Sequence, residues 1–409
     1  MSQNVIETSS SYPETEAWTK TPVPETCPWL VGDDSDITPE LSIILPTLNE
    51  QRGIGPCLEQ IEQALTKMEV YGEVIVSDSS DDYTPVIAHL HGARVINPDE
   101  EGYGAAYQAA CSVVRGEYIA MGDADTTYDF TELPKLFTLV RDDDVDMAIG
   151  SRLAGEIKPN AMPALHEYIG NPVLTGFLNI FYNAGVSDAH SGMRVFSKTA
   201  WEKMNCSKTG MEFASEMIME AGAKDLEIDE EPITYYEREG EASLESVPDG
   251  WRHIRFMLLN APGYLFSIPG MLLLFGGIVL MGLCVFDLSL GNISFGTHSL
   301  VMSALATLVG FQVSNFAVFA TVAGDPIKRP VDPYTNWLLD RLTLERGIAI
   351  GAALLCGGGG YIGMVISRWA ASQFSTLPVL KNNIVAIVAM VIGVQLLFSA
   401  FLFSALIGE

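Results

Sequence analysis

The chain has 409 residues, enough for two domains, and carries 51 acidic against 23 basic residues, a net charge of −28. That balance argues against nucleic acid as a partner, because a phosphate backbone needs a basic footprint. Six scattered cysteines form no C-x-x-C or zinc spacing, which predicts reduced core residues in a cytosol-facing protein.

Residues 1 to about 39 are rich in Ser, Thr, Pro and Glu and lack periodicity, which predicts a disordered tail. No basic segment leads into an apolar run there, so no signal peptide is expected and the next domain is expected in the cytoplasm. Residues 40–250 then read as one α/β domain. Short apolar strands at 41–45, 73–76, 93–96, 117–121 and 145–149 alternate with helices near 54–70, 102–114 and 131–140 and a short helix that follows the acidic turn 78–82 and ends at His91. Alternation of this kind predicts a mostly parallel sheet with helices on both faces and right-handed crossovers. Ligands bind such sheets at the carboxyl ends of the strands, where Pro46–Glu50, Asp78, Asp123 and Asp125 fall. Residues 151–250 continue with a helix near 168–184, a strand at 193–196, a helix near 211–223 and a strand at 226–233.

Four apolar runs follow, at 264–286, 299–322, 347–367 and 384–407. Each is long enough to cross about 30 Å of hydrocarbon, so residues 264–409 are expected to form a transmembrane domain. The loop at 287–298 has no Lys or Arg, whereas 323–346 has Lys328, Arg329, Arg341 and Arg346, and the approach has Arg252 and Arg255. The positive-inside rule then puts the 40–250 domain and both termini in the cytoplasm of a multi-pass cell-membrane protein. Two stretches, 251–263 and 334–342, alternate cationic with apolar positions and read as interfacial helices or as plain loop and core.

Asp123 and Asp125 lie two apart where a strand ends, so both side chains point the same way. Such a pair is either a solvated turn or a site for a hard divalent cation, Mg²⁺ or Mn²⁺, completed by substrate phosphate. Further motifs are Pro46-Thr47-Leu48-Asn49-Glu50, Ser77-Asp78-Ser79, Gly102-Tyr103-Gly104, Gly150-Ser151-Arg152, Asp188-Ala189-His190-Ser191-Gly192-Met193-Arg194, Gly210-Met211-Glu212-Phe213-Ala214-Ser215-Glu216 and Asp249-Gly250-Trp251-Arg252-His253. In this order the set resembles family 2 glycosyltransferases of the GT-A fold, and within them the polyprenyl-phosphate (dolichol-phosphate) mannose or glucose synthases.

The resemblance implies a nucleotide-sugar site made by Pro46, Thr47, Leu48, Asn49, Glu50, Asp78, Ser79, Asp123, Ala124, Asp125 and Arg238. It implies metal ligation at Asp123 and Asp125, and an acceptor-phosphate site of Arg152, Ser191 and Arg194. Glu212 and Glu216, one helical turn apart, are the sugar or base candidates. The implied catalytic set is Asp123, Asp125, Arg152 and Arg194. Thr127 stands where relatives carry Gln, Leu48 where they carry Tyr, and Leu244 in Gly240-Glu241-Ala242-Ser243-Leu244 where they carry a basic residue.

The implied reaction is inverting transfer of a hexose from a nucleotide sugar to a membrane polyprenyl (dolichyl) phosphate. A homo-oligomer is left open. The competing readings are a processive polysaccharide synthase, for which the Gln-x-x-Arg-Trp element is missing, a transporter, and a non-catalytic scaffold built on a transferase fold.

Overall fold

Apolar runs become central strands when both faces of the sheet are covered, and Leu41–Thr47 (β1) and Gly72–Asp78 (β2) are buried along almost their whole length. The structure is a computed structural model and describes residues 27–143, 145–239, 246–289, 291, 293–323, 335, 337, 341, 343–375 and 380–407. The remaining strands are Arg94–Ile96 (β3), Tyr118–Met121 (β4), Met147–Ile157 (β5), Arg194–Ser197 (β6) and Ile228–Tyr235 (β7). They build a seven-stranded sheet in the order β3-β2-β1-β4-β6-β5-β7. β6 runs antiparallel to both β4 and β5, and the other pairs are parallel. The expected mostly parallel sheet is therefore present, with one strand reversed.

The helices beside this sheet are Ile54–Met68 (α1), Thr84–Leu90 (α2), Tyr103–Cys111 (α3), Leu133–Asp142 (α4), Asn171–Tyr182 (α5), Lys198–Met204 (α6) and Phe213–Ala223 (α7), and Ser246–Asn260 (α8) follows in the chain. α1 buries Ile54, Cys57, Leu58, Ile61, Ala64 and Leu65, one face of a 3.6-residue period. Each Leu or Ile removed from water there contributes about 1.5–3 kcal/mol. The helix ends at Glu69, left-handed at φ 53°, whose N–H caps the carbonyls of Leu65 and Thr66. α3 packs on β1 and β2, and α4 on β5 and β6.

Three expectations change. The tail does not extend to residue 39: the Val31 N–H donates to the Gly72 carbonyl at 2.8 Å, and Trp29 packs on Tyr71, so residues 27–39 run beside β2. Residues 1–26 lie outside the described residues. The strand expected to stop at 149 runs on to Ile157, because it pairs with β7 across an irregularity between Ser151 and Glu156. α6, which the sequence reading passed over, starts at a Ser197 side chain that accepts from the Ala200 N–H and stops at left-handed Asn205.

Chain contacts divide the protein into two units, Met1–Ile254 and Arg255–Glu409. The second holds Pro262–Val285 (α9), Thr297–Ala323 (α10), Leu344–Ala371 (α11) and Leu380–Ile407 (α12). All four are long and apolar enough to cross a membrane. Small residues let them approach closely, as in membrane bundles. A Cβ on Gly310 would lie 2.2 Å from the Leu274 nitrogen, and one on Gly351 would lie 2.8 Å from the Gly393 carbonyl. Between α10 and α12, the Gln395 amide donates to the Gln312 amide oxygen at 3.0 Å. Of the cysteines, 27, 57, 111 and 284 are buried as expected, Cys206 is half-buried, and Cys356, on α11, is exposed. The 251–259 stretch lies in α8, with Trp251 exposed and Met257 buried. Most of 334–342, and Lys328 and Arg329, lie outside the described residues.

Candidate active site

The site forms at the carboxyl ends of β1, β2 and β4. Pro46 and Thr47 end β1, and Thr47 pairs with Asp78 at the end of β2. The Thr47 hydroxyl donates to Asp78 Oδ1 at 2.7 Å, and the Ser80 hydroxyl donates to the same oxygen at 2.6 Å. The Ser79 N–H donates back to the Thr47 carbonyl at 3.0 Å. Asn49 is left-handed at φ 61°; its N–H donates to Ser80 Oγ, and its side-chain oxygen accepts from the Asp81 N–H. Two loops are thus stitched into one rim, with Leu48 exposed on it.

β4 leads into the carboxylate pair. Gly122 is required at the turn, because a Cβ there would lie 2.5 Å from the Phe130 ring. Gly53, before α1, is equally constrained: a Cβ would lie 2.4 Å from the Ala124 carbonyl. Asp125 Oδ1 accepts from the Thr127 N–H at 3.1 Å and the Thr127 hydroxyl at 2.5 Å. Thr127 therefore orients a carboxylate. Among the described residues, Asp123 Oδ1 accepts a single long bond, 3.3 Å, from the Tyr103 hydroxyl. Arg238 completes the group, with Nη2 2.6 Å from Glu50 Oε1 and Nε 3.3 Å from Asp125 Oδ2. It is held there because the Tyr236 and Glu239 N–H groups donate to the Thr127 and Asp125 carbonyls. The 240–244 pattern lies outside the described residues.

Charge is unbalanced here. Burial, reinforced by the Asp125 carboxylate, raises the Asp123 carboxyl to about 7, although Arg238 and Arg152 pull against the rise. Glu50 is also raised, by burial, against the opposing bond from Arg238. A half-buried acid that stays raised beside two cations fits a further positive charge. Among the described residues no group of three His, Cys, Asp or Glu could hold a metal. The donor set is therefore two carboxylates, which suits a Mg²⁺-like ion that takes its other oxygens from water and substrate phosphate.

The arginines behave differently from expectation. Arg152 is buried, and its Nε and Nη2 engage both oxygens of Asp188 at 2.7 and 2.9 Å. Its guanidinium also lies 5.2 Å from the Tyr235 ring centre. Burial opposes the charge on Asp188, but Arg152 outweighs it and holds the carboxyl below its ordinary value. Arg194 is 1% exposed; it donates to the Ser191, Ala214 and Ala189 carbonyls at 2.9, 3.1 and 2.8 Å. The two forks expected to receive an acceptor phosphate are thus occupied by the protein. Both shape the Asp188–Arg194 loop. Ser191 is fully buried, and its hydroxyl has no hydrogen-bond partner among the described residues.

Glu216 departs from expectation too: it is buried and accepts from the Ser207 and Lys208 N–H groups, which secures the loop before α7. Glu212 keeps a buried Oε2 without a partner and remains a candidate. The sequence reading missed Tyr103 and Tyr128 as site residues. The Tyr128 hydroxyl accepts from the Gly192 N–H at 2.7 Å, which brings the Asp188–Arg194 loop against the Asp123 carboxylate. Tyr103 stood inside a quoted glycine motif, so its signal was present.

Comparison with known proteins gives the family. A family model described as "Glycosyl transferase family 2" matches residues 42–204, and one described as "Glycosyltransferase family 2 C-terminal transmembrane region" matches 318–407. The low-salt glycan biosynthesis hexosyltransferase Agl6 of Haloferax volcanii is 58% identical over 93% of this chain and 92% of its own. A dolichyl-phosphate hexose transferase of the same organism is 31% identical over 52% of this chain and 89% of its own. A solved glucosyl-3-phosphoglycerate synthase from Mycobacterium tuberculosis, in complex with Mn²⁺, UDP and glucosyl-3-phosphoglycerate, is 19% identical, with a TM-score of 0.44 over 54% of this chain and 79% of its own. The chain belongs to glycosyltransferase family 2: an enzyme with a GT-A-type catalytic domain followed by a multi-pass membrane region.

Proposed function

We propose that the protein transfers a hexose from a nucleotide sugar to a polyprenyl phosphate at the cytoplasmic face of the membrane. The observation that carries this reading is the raised Asp123 carboxyl crowded against Asp125 at the strand ends, in a chain that continues into four apolar helices. The similarity to a dolichyl-phosphate hexose transferase supports the lipid acceptor. The lysine and arginine distribution supports the cytoplasmic face.

In this reading Asp78, fixed by Thr47 and Ser80, accepts from the nucleobase, and the Pro46–Glu50 rim lines the nucleoside. Asp123 and Asp125 hold Mg²⁺ or Mn²⁺, which when bound would stabilise charge on the departing diphosphate. Arg238, the half-exposed cation beside them, reaches toward the same diphosphate. The acceptor needs no general base, because a phosphate monoester has its second pKa near 6 and is largely ionised at neutral pH. Its oxygen forms a bond to the anomeric carbon as the bond from that carbon to the nucleoside diphosphate breaks. In-line attack inverts the centre. Arg152 and Arg194 act by holding the loop that presents Ser191, so catalysis rests on positioning and electrostatics.

The test uses membranes containing the full chain, labelled nucleotide sugars and polyprenyl phosphate. Labelled chloroform-soluble lipid is expected, lost with chelator and restored by Mg²⁺ or Mn²⁺. No labelled lipid from any donor, while a known synthase works in parallel, rejects the proposal.

A further inference from the structure

His190 lies in the Asp188–Arg194 loop, Ser215 near the start of α7 and His253 on α8, the helix that precedes the first apolar span in the chain. His190 Nε2 is 3.0 Å from Ser215 Oγ, and Ser215 Oγ is 2.9 Å from His253 Nδ1. The two imidazole rings stand edge to face with centres 5.1 Å apart. Ser215 is fully buried and His253 nearly so. None of the three residues was assigned a role above.

We infer that His190, Ser215 and His253 form a hydrogen-bonded positioning chain that fixes the acceptor loop to α8. Other bonds tie the loop to residues of the sheet, of α5 and α7, and to Tyr128. Asp188 is held by Arg152, the Ala189 N–H by Thr175, the Gly192 N–H by Tyr128, and Arg194 clamps the loop to itself and to α7. His190 adds a connection to α8. Ser215 has one hydroxyl proton and sits between two ring nitrogens, so it can donate to one of them and the other ring must donate N–H to it. The chain therefore has a direction, and the tautomer of one imidazole fixes that of the other. Burial, then the neighbouring His253 and Arg194, push His190 down to about 3, so its ring stays neutral at physiological pH. Loss of the chain would leave Ser191 and Gly192 free to shift against Asp123. The assignment of this loop to the acceptor rests on the function proposed above; the hydrogen-bonded chain does not.

Isosteric amides test it atom by atom. Asn places a polar atom near Nδ1 of histidine and Gln places one near Nε2, so H253N and H190Q keep the contact to Ser215, whereas H253Q and H190N break it. In the full chain in detergent, amide hydrogen exchange at 189–192 should quicken about tenfold or more in H253Q, H190N and S215A. It should stay near the parent rate in H253N and H190Q. With polyprenyl phosphate as probe, the first three should raise the KM for the lipid about tenfold and leave the KM for the nucleotide sugar unchanged. If the Asn and Gln variants at each position exchange alike, the inference is overturned. If exchange separates them but the lipid KM does not, the chain stands and the acceptor assignment of the loop falls.

Discussion

The two ends of the crevice use charge in opposite ways. At the carboxylate end, Asp123 has one long hydrogen bond and a carboxyl raised to about 7. At the arginine end, Arg152 and Arg194 have their donors matched by Asp188 and by loop carbonyls. One end keeps an electrostatic imbalance that a bound cation would relieve. The other has used its charge to build a rigid wall. Residue type alone would have made both ends ligand-binding, and the difference is set by which partners the fold supplies.

The sharpest way to break this contrast is at the open end. Asp125→Ala should lower transfer by a hundredfold or more with the fold retained, the scale of losing a preorganised electrostatic contact; the lipid-labelling assay with a circular dichroism control checks it. At the closed end the loss should appear as stability. Arg152→Met leaves Asp188 buried without its partner and should cost about 3–5 kcal/mol, read by denaturant unfolding. Arg152→Met with Asp188→Asn should recover part of that. A smaller effect separates the ends by pH. Because folding raises the Asp123 carboxyl from its ordinary value near 3.8 to about 7, the folded state holds the extra proton, and its stability falls as pH rises through that interval. In chelated protein, Asp123→Asn should therefore raise the melting temperature more at pH 8 than at pH 5. Smallest of all, Tyr103→Phe removes a 3.3 Å bond and should change stability by no more than about 1 kcal/mol.

Much of this was legible in the chain. The five strands of the first half and the four apolar helices show in hydropathy alone, because apolar runs of those lengths have few other uses. The carboxylate pair was legible because strand geometry aims alternate residues together. The reversal of β6 was not, since a strand as short as Arg194–Ser197 reads the same in either direction. Residues 27–39 were misread because a few bonds to β2 leave no periodic trace. The partners of Arg194 were hidden because they are backbone carbonyls, which any sequence offers. Arg152 was different: Asp188 stood in a quoted motif, and the pairing of the two was there to be weighed.

The contact between Gln312 and Gln395 has a consequence for how the helices past residue 262 assemble. Sliding α10 against α12 by one turn would strand both amides in hydrocarbon, so this one bond selects a single vertical alignment from several that the leucines and valines would tolerate equally. Replacing either glutamine with leucine would leave two greasy cylinders with no preferred notch, and replacing both would restore solubility in lipid while erasing the address.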